Sequence, residues 1–149
     1  SFSPRKVQFL AKASLFASRI GGWFFRQIGA IPVHREASSA AQTALDAGRD
    51  VLAAGKVFAV FPEGSRSRDG RLYRGRSGAA WLALETGAAV VPVAIDGAGK
   101  VLPVQGLFRV RPGIIRVRIG APIEVAGLDR QELTRRAHEA VRTMLEPRI

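Results

Sequence analysis

The stretch Phe61-Pro62-Glu63-Gly64-Ser65-Arg66-Ser67-Arg68 is the most informative part of the sequence. It follows the apolar run 57–61, which predicts a buried strand, and it precedes a helix-like segment that begins near residue 74. A strand therefore leads into a loop with one acid, one glycine, two hydroxyl groups and two guanidinium groups. Ligands of α/β proteins bind beyond the carboxyl ends of parallel strands, so this loop is predicted to bind an anion such as phosphate.

The composition is that of one folded domain, with 149 residues of which 47% are apolar and 23% charged. There is no cysteine, which excludes disulfides, thiolate metal sites and a cysteine nucleophile, and two histidines are too few for a multi-histidine metal site. No apolar run reaches the roughly 18 residues of a membrane-spanning helix. No metal or bound cofactor is therefore expected.

The charge balance points to an anionic partner. The sequence has 23 basic and 12 acidic residues, a net charge of +11, which suits nucleic acid, an acidic lipid surface or a phosphorylated substrate. A GC-rich genome explains an arginine-rich and alanine-rich composition equally well. The charge by itself does not choose among these interpretations.

Hydrophobic periodicity predicts alternating helices and strands. The predicted elements are a partly helical segment at 7–25 with a break or close-packing point at Gly21-Gly22, an edge strand at 28–33, a helix at 39–54 behind a capping box at Ser39, buried strands at 57–61 and 89–95, a helix at 78–86, a strand with one wet face at 115–119, and a helix from 129 to a stop at Pro147. This order predicts an α/β fold with a mostly parallel sheet flanked by helices, with an antiparallel strand possible at its edge.

Two basic segments follow predicted strands. His34 and Arg35 come after the strand at 28–33, and Arg66 comes after the strand at 57–61. If those strands are neighbours, Arg35 and Arg66 converge, and N–H donors around Gly64 and Ser65 complete a phosphate site. Glu63 would be costly beside a phosphate, so an orienting role toward an arginine or a substrate hydroxyl is expected. The alternative for such arginines is a solvated, salt-bridged loop.

No complete catalytic set is visible in the sequence. His34 is as well explained by a surface position, His138 lies beside the apolar stripe of the last helix, and neither Ser65 nor Ser67 has an activating base nearby in sequence. Pro92 is awkward within a buried strand, so a bulge or an unpaired position near the site is expected there.

Four segments, taken together, resemble the motifs of the glycerolipid acyltransferases, the lysophosphatidate acyltransferase family. They occur in family order, and the resemblance runs from about Val7 to Ile123. The segments are Ala11-Lys12-Ala13-Ser14-Leu15-Phe16, Gly29-Ala30-Ile31-Pro32-Val33-His34-Arg35, Phe61-Pro62-Glu63-Gly64-Ser65-Arg66-Ser67 and Val91-Pro92-Val93-Ala94-Ile95.

The resemblance implies a glycerol-3-phosphate acyltransferase-like fold. It also implies transfer of a fatty acyl group from acyl-CoA or acyl-carrier protein to the hydroxyl of a lysophospholipid, with lysophosphatidic acid as the leading acceptor. Attachment to an anionic membrane surface is expected, at the cytoplasmic face of a bacterial inner membrane. The residues implied in acceptor and phosphate binding are Lys12, Arg35, Glu63, Gly64, Ser65, Arg66 and Ser67, with Pro62 and Pro92 shaping the pocket.

One departure from the family pattern concerns catalysis. The family motif is a histidine, four residues and an aspartate, in which the histidine is the general base on the acceptor hydroxyl. Ser39 stands five residues after His34, and Thr143 five residues after His138. The motif is therefore expected upstream of Ser1, with the 149 residues as an acyltransferase domain that lacks its N-terminal catalytic segment and does not turn over alone.

Two alternatives are kept. A non-catalytic relative would retain the lipid-phosphate site without the base. A basic nucleic-acid-binding module would account for the charge, but no nucleic-acid motif is recognisable and the aromatic residues do not alternate with a basic surface, so no nucleic-acid partner is expected.

Overall fold

A computed structural model describes residues 5–33, 39–103 and 110–146. The chain divides into two compact units, which span residues 1–60 and 61–149. Strands and helices alternate along both units. The α/β class is therefore confirmed.

The first unit contains a three-stranded parallel sheet in the order β2-β1-β3. A short 3-10 turn at Ala13–Phe16 follows β1. The elements are β1 (Val7–Lys12), α1 (Arg19–Gln27), β2 (Ala30–Val33), α2 (Ala40–Ala53) and β3 (Val57–Ala59).

The central strand β1 was not predicted. The segment 7–25 was expected to be partly helical, and its second part indeed forms α1, but residues 7–12 form the strand between β2 and β3. Phe9 lies opposite Ala30 on one side and Ala59 on the other. Hydrogen bonds to both neighbouring strands fix the extended conformation of residues 7–12. Because these strands are distant in sequence, local periodicity cannot predict the pairing.

The glycine pair does not break α1. Gly21 and Gly22 both lie inside the helix, and Gly22 is buried. A Cβ atom on Gly22 would lie 2.9 Å from the carbonyl oxygen of Phe16. The close-packing half of the prediction is therefore the correct one.

Gly29 sets the entry into β2. Its φ is +89°, and a Cβ there would lie only 2.4 Å from the carbonyl oxygen of Val7. Its own carbonyl accepts a hydrogen bond from the N–H of Phe9 at 3.1 Å. Only glycine permits this left-handed backbone so close to β1.

β2 is an edge strand of the described sheet, as Pro32 predicted, but β3 differs from its prediction. The run 57–61 was expected to be buried on both faces. Only Val57–Ala59 is a strand, it lies at the other edge, and Val57 and Phe61 are exposed. A run of apolar residues marks what could be buried, and the sheet topology determines what is buried.

The helix α2 is confirmed, and its ends follow the sequence in part. Gly55 adopts the predicted left-handed conformation with φ +72°. The capping box is absent: the Ser39 side chain caps nothing, and Gln42 donates to Asp46 at 3.0 Å. The Ser39 carbonyl instead accepts from the N–H and the hydroxyl of Thr43.

The second unit is built around Leu133, which is fully buried. Ala80 and Ala83 pack against Leu133, and partly buried Leu84, Val90 and Ile123 extend this core. The elements are α3 (Gly78–Thr86), β4 (Val93–Asp96), α4 (Ala98–Val101), β5 (Arg116–Ile119) and α5 (Arg130–Leu145).

The helices α3 and α5 begin and end close to prediction. Gly87 ends α3 with φ +69°. Asp129 caps α5 by accepting from the N–H of Glu132 at 2.8 Å. Pro147, predicted to end α5, lies outside the described residues, and α5 ends at Leu145.

β4 and β5 form an antiparallel pair whose exposed face is opposite to the prediction. Val117 and Ile119 were expected to face inward, yet they are 57% and 73% exposed. Arg118 is half-buried and donates to the carbonyl of Met144 at 2.8 Å. Alternation gives the period of a strand, but the position of α5 determines which face is covered.

Pro92 lies outside the ladder, as expected for an unpaired position. β4 begins after it at Val93, and an isolated bridge joins Val90 to Ile123 before it. Pro92 is buried and its carbonyl accepts from the N–H of Gly120 at 2.8 Å. Its missing N–H therefore costs no ladder hydrogen bond.

Candidate functional site: an arginine-rich loop

Residues 61–77, here called the arginine loop, connect β3 to α3 and are closed at their base. The N–H of Arg76 donates to the carbonyl of Pro62 at 2.8 Å. A Cβ on Gly75 would lie 3.0 Å from the Cβ of Pro62, so glycine lets the two ends of the loop touch. Compact loops whose ends meet commonly carry function.

Gly64 forms a tight turn at the start of the loop. Its φ is +74°, and its N–H donates to the carbonyl of Phe61 at 3.0 Å. That N–H was predicted to be free for a phosphate and is instead engaged in the turn. The Arg76 guanidinium lies over this turn, because a Cβ on Gly64 would be 3.7 Å from its Cζ and Nε atoms.

Glu63 bonds to the backbone of the loop and not to an arginine side chain. Its Oε2 accepts a hydrogen bond from the backbone N–H of Tyr73 at 2.9 Å. This contact joins the beginning of the loop to a residue ten positions later in the sequence. Glu63 forms no ion pair with an arginine among the described residues, and an orienting role toward a substrate hydroxyl stays a prediction.

Asp69 is the second acid of the loop, and it gathers three donors. It accepts from the Ser67 hydroxyl at 3.2 Å, the Arg71 N–H at 3.0 Å and the Tyr73 hydroxyl at 2.8 Å. The Arg71 N–H and then the Tyr73 hydroxyl lower the pKa of Asp69, and the bond to Asp69 raises the pKa of Tyr73. Ser67, predicted as a phosphate contact, therefore directs its hydroxyl into the loop.

Most of the loop arginines have no acidic partner among the residues that the structure describes. Arg71 approaches Asp69 at 3.9 Å. Within the described part of the chain, four arginines of the loop form no ion pair, namely Arg66, Arg68, Arg74 and Arg76. Arg66 makes one long hydrogen bond to the carbonyl of Leu102 at 3.4 Å, and its side chain is otherwise exposed. The predicted alternative of a salt-bridged loop does not describe these arginines.

Ser65 stands next to this cluster. It is exposed and bonds to no residue that the structure describes. Phosphate oxygens accept hydrogen bonds from hydroxyl groups and from guanidinium groups that no acid neutralises, and this short loop offers both. Arg66 and Ser65 therefore keep the roles predicted for them as hypotheses.

The first unit carries the other predicted phosphate contact, Lys12. It is the last residue of β1 and lies opposite Val33, the last residue of β2. Arg35 and His34 fall outside the described residues. The condition stated for Arg35 and Arg66 to converge, that their strands are neighbours, is not met, because β1 lies between β2 and β3. Two strand spacings, roughly 10 Å, separate their axes, with Lys12 on the strand in the middle.

Sequence reasoning missed Arg76, Asp69 and Tyr73. A signal for Asp69 existed in the Asp69-Gly70 pair, a frequent turn sequence, since Gly70 has φ +78° and the Asp69 carboxylate accepts from the next N–H. No sequence signal brought Arg76 to Gly64. That contact depends on the closure of the loop at Pro62.

A second candidate surface lies on α1. Ile20, Trp23 and Phe24 recur at helical spacing on one side and are 83%, 63% and 52% exposed. Phe25 is less exposed and packs against Phe16 and, edge-on, against Phe24, with ring centroids 5.7 Å apart in both pairs. The residues 5–33 contain five cations and no acid, the cations being Arg5, Lys6, Lys12, Arg19 and Arg26.

Two features are absent from the described residues. They contain no group of three metal-binding side chains suited to hold a metal ion. None of their helices combines the length and hydropathy needed to cross a membrane.

The family model described as "Acyltransferase" matches residues 1–96, which include β1 to β4 and the whole arginine loop. The chain belongs to the acyltransferase family. Within the family, the chloroplastic 1-acyl-sn-glycerol-3-phosphate acyltransferase of Arabidopsis thaliana is 34% identical over 84% of this chain. The lyso-ornithine lipid O-acyltransferase of Pseudomonas aeruginosa is 32% identical over 93% of it.

Among solved acyltransferase structures, the 1-acyl-sn-glycerophosphate (LPA) acyltransferase PlsC of Thermotoga maritima resembles this chain with a TM-score of 0.78 and 27% identity. The match covers 97% of this chain and 59% of that protein. The chain spans 35% of the Arabidopsis relative and 59% of the Pseudomonas relative. The resemblance to glycerolipid acyltransferases stated from the motifs is confirmed.

Proposed function

We propose that the protein containing this chain transfers a fatty acyl group to the free hydroxyl of a lysophospholipid, and that the arginine loop holds the acceptor's phosphate. Lysophosphatidate is the acceptor that the loop suits best. The observation that carries the proposal is the set of four arginines in one closed loop with no acidic partner among the described residues. One guanidinium group can donate two parallel hydrogen bonds to a phosphate, and a phosphomonoester presents three oxygens that accept them.

Relatives support the same reaction class while leaving two acceptors in view. The Arabidopsis and Thermotoga proteins are named for a glycerol phosphate acceptor, and the Pseudomonas protein for a lyso-ornithine lipid. An ornithine lipid offers no phosphate, so it would leave most of the loop's guanidinium groups without a partner. The free arginines therefore favour the phosphate-bearing acceptor.

Binding of a short-chain, soluble lysophosphatidate to the 149-residue chain tests the proposal by calorimetry. Tighter binding than to a lyso-ornithine lipid of the same chain length is expected. A preference for the ornithine lipid, or binding that Arg66→Ala leaves unchanged, would contradict it. Strong, steeply salt-dependent binding to duplex DNA in place of lipid would favour the nucleic-acid alternative.

Activation of the acceptor hydroxyl is proposed to come from residues other than these 149. Neither histidine is followed by an aspartate at the spacing of the family motif, since Ser39 and Thr143 stand at those positions. The chain itself then binds acceptor without turnover, and its acyl donor is a fatty acyl thioester, of coenzyme A or of acyl-carrier protein. Lysophosphatidate acylation by the 149 residues alone, with either donor, would overturn this part.

We further propose that α1 rests on an anionic membrane surface, at the cytoplasmic leaflet where acidic lipids are abundant. Its exposed face combines isoleucine, tryptophan and phenylalanine, the side chains that bury well at the headgroup boundary. Arg19 and Arg26 flank that face, and the absence of any acid from residues 5–33 makes the surroundings uniformly basic. Each cation near an anionic surface adds about 1 kcal/mol of attraction.

Trp23 supplies the measurement. In a Trp81→Phe background it is the only tryptophan, because the chain has two. A blue shift of its emission is expected with vesicles of equal phosphatidylcholine and phosphatidylglycerol, and a weaker shift with phosphatidylcholine alone. Phe24→Ala is expected to weaken vesicle binding about tenfold or more, because most of that ring's burial in the bilayer is lost.

Ile119→Ala is the matched control, since Ile119 is comparably exposed but lies on β5 in the other unit. It is expected to bind vesicles as the parent does. Equal weakening by both variants would contradict the assignment to α1. So would an emission shift that appears with protein concentration and without vesicles, which would indicate a second copy of the chain on this face.

A further inference from the structure

Tyr73 contacts both acids of the arginine loop. Its backbone N–H donates to Glu63 at 2.9 Å, and its hydroxyl donates to Asp69 at 2.8 Å. The residue is 50% exposed, so packing in a core does not explain its position. It is the only tyrosine of the chain.

The two acids are otherwise surrounded by cations. Five arginines share residues 61–77 with them, namely Arg66, Arg68, Arg71, Arg74 and Arg76. An acid this close in sequence to several guanidinium groups would ordinarily pair with one of them. Here the shortest contacts of both carboxylates come from neutral groups, namely Tyr73, the Ser67 hydroxyl and the backbone N–H of Arg71. The one ion pair, between Asp69 and the Arg71 guanidinium, is long at 3.9 Å.

We propose that Tyr73 is a positioning residue of the acceptor site, which clasps Glu63 and Asp69 and so keeps both carboxylates away from the arginines that receive the phosphate. This inference rests on the proposed function and deepens it. It assigns the two acids and the tyrosine to one task. They hold the loop's backbone and leave its positive charge to the ligand.

Loss of the Tyr73 hydroxyl should let a loop carboxylate compete with the phosphate for the arginines. A carboxylate released from the clasp can reach a loop guanidinium and occupies the place of a phosphate oxygen. Removing the Tyr73 hydroxyl should therefore weaken lysophosphatidate binding even though Tyr73 itself touches no phosphate. The magnitude should be that of one ordinary, solvent-exposed hydrogen bond, a loss of roughly three- to tenfold.

The first experiment measures binding of soluble short-chain lysophosphatidate to Tyr73→Phe, by calorimetry. A three- to tenfold loss is expected, with the thermal unfolding midpoint unchanged because the hydroxyl is exposed. The matched control for the acid is Asp46→Asn. Asp46 is an exposed acid of α2, in the first unit, that pairs with Gln42 and Arg49, so its neutralisation changes the net charge by the same amount as that of Asp69.

The double variant Tyr73→Phe/Asp69→Asn decides the mechanism. If Tyr73 acts by restraining a competing carboxylate, neutralising Asp69 should restore most of the binding that Tyr73→Phe loses. If Tyr73 merely braces the loop, the double variant should bind as weakly as Tyr73→Phe or more weakly. Only the first outcome gives a favourable coupling between two individually disruptive changes.

The phenol itself gives an independent readout. Phenolate absorbance reports Tyr73 alone, and its pKa is raised by the bond to Asp69, by loss of solvent and by the charge of Asp69, with Glu63 adding to and Arg71 opposing the shift. Asp69→Asn should return this pKa toward about 10. Bound lysophosphatidate should raise the pKa further in the parent, because the ligand's negative charge disfavours a phenolate nearby.

The results for Arg66→Ala and Tyr73→Phe distinguish a failure of the proposed role of Tyr73 from a failure of the proposed phosphate site. If Arg66→Ala weakens binding while Tyr73→Phe does not, the clasp is wrong and the phosphate loop stands. If neither variant changes binding, the proposed function fails. If Tyr73→Phe unfolds early, the comparison passes to Glu63→Gln, whose amide oxygen still accepts from Tyr73, against Glu63→Ala, which is expected to bind more weakly.

Discussion

The arginine loop and α5 both contain several arginines and two acids, but their charged side chains pair differently. In α5 each glutamate pairs with arginines one turn away: Glu132 with Arg135 and Arg136 at 2.8 Å, and Arg142 with Glu139 and Glu146. In the loop the acids accept hydrogen bonds from hydroxyl and N–H groups, and most arginines have no acid. The difference shows that counting charges does not locate an anion site. An anion site requires arginines that no acid neutralises, and this depends on which hydrogen-bond donors the acids contact.

The largest expected effect is on Arg66. Arg66→Ala should weaken lysophosphatidate binding about tenfold or more, because a charge-assisted contact of about 1.5–3 kcal/mol is lost. Arg66→Lys should fall between, since it keeps the charge and loses the bidentate geometry. Arg135→Ala on α5 is the control and should bind normally. Equal losses in Arg66→Ala and Arg135→Ala would reduce the site to net charge.

A smaller effect should follow when the loop is made to resemble α5. Ser65→Glu places an acid beside guanidinium groups that have none. A carboxylate about 4 Å from a fully solvated guanidinium gains roughly 1 kcal/mol in water, so lysophosphatidate binding should fall about fivefold. Ser65→Gln matches its size without the charge and should bind nearly as the parent does. A Ser65→Glu protein with unchanged affinity would indicate that the phosphate lies elsewhere.

On α5 the expected effect is on stability and depends on pH. Hydrogen bonds from Arg135 and then Arg136 lower the pKa of Glu132 to about 2 from 4.5. A lowered carboxyl pKa contributes stability above the unfolded value, which is lost as the pH falls from about 4.5 to about 2. Glu132→Gln should therefore unfold at a lower temperature than the parent at neutral pH. That gap should close near pH 2; a gap independent of pH would contradict the assignment.

The smallest expected effect is that of Arg142→Lys. Its two glutamate partners are exposed, and exposed ion pairs within a helix stabilise little. The unfolding midpoint should fall by no more than about 2 °C, and lysophosphatidate binding should not change. Any loss of binding would show that α5 and the arginine loop do not have the separate roles that their ion pairing indicates.

Helices with complete local signals were predicted well. The helix α3 was predicted at its observed bounds, and α5 carried an aspartate cap and an apolar stripe. Within the site, Arg66 and Ser65 could be selected because they follow a strand and stand beside a turn glycine. Glu63 was selected too, but its partner Tyr73 lies ten positions away and could not be read from the sequence.

Failures occurred where a partner distant in sequence determines the outcome. The segment 7–12 became the central strand because β2 and β3 supply hydrogen bonds on both sides. β3 is exposed at an edge although its sequence is apolar, and β5 turns its valine and isoleucine outward because α5 covers the other face.

The sequence by itself determined the α/β class, the family and the loop that carries the charge, because periodicity, turn glycines and a motif are local properties. Only the tertiary structure decided which side chains of that loop are free. Closure at Pro62 brings Arg76 to Gly64, and Tyr73 engages both acids. Hydrogen bonds across a folded loop depend on distances in space, and a sequence does not contain those distances.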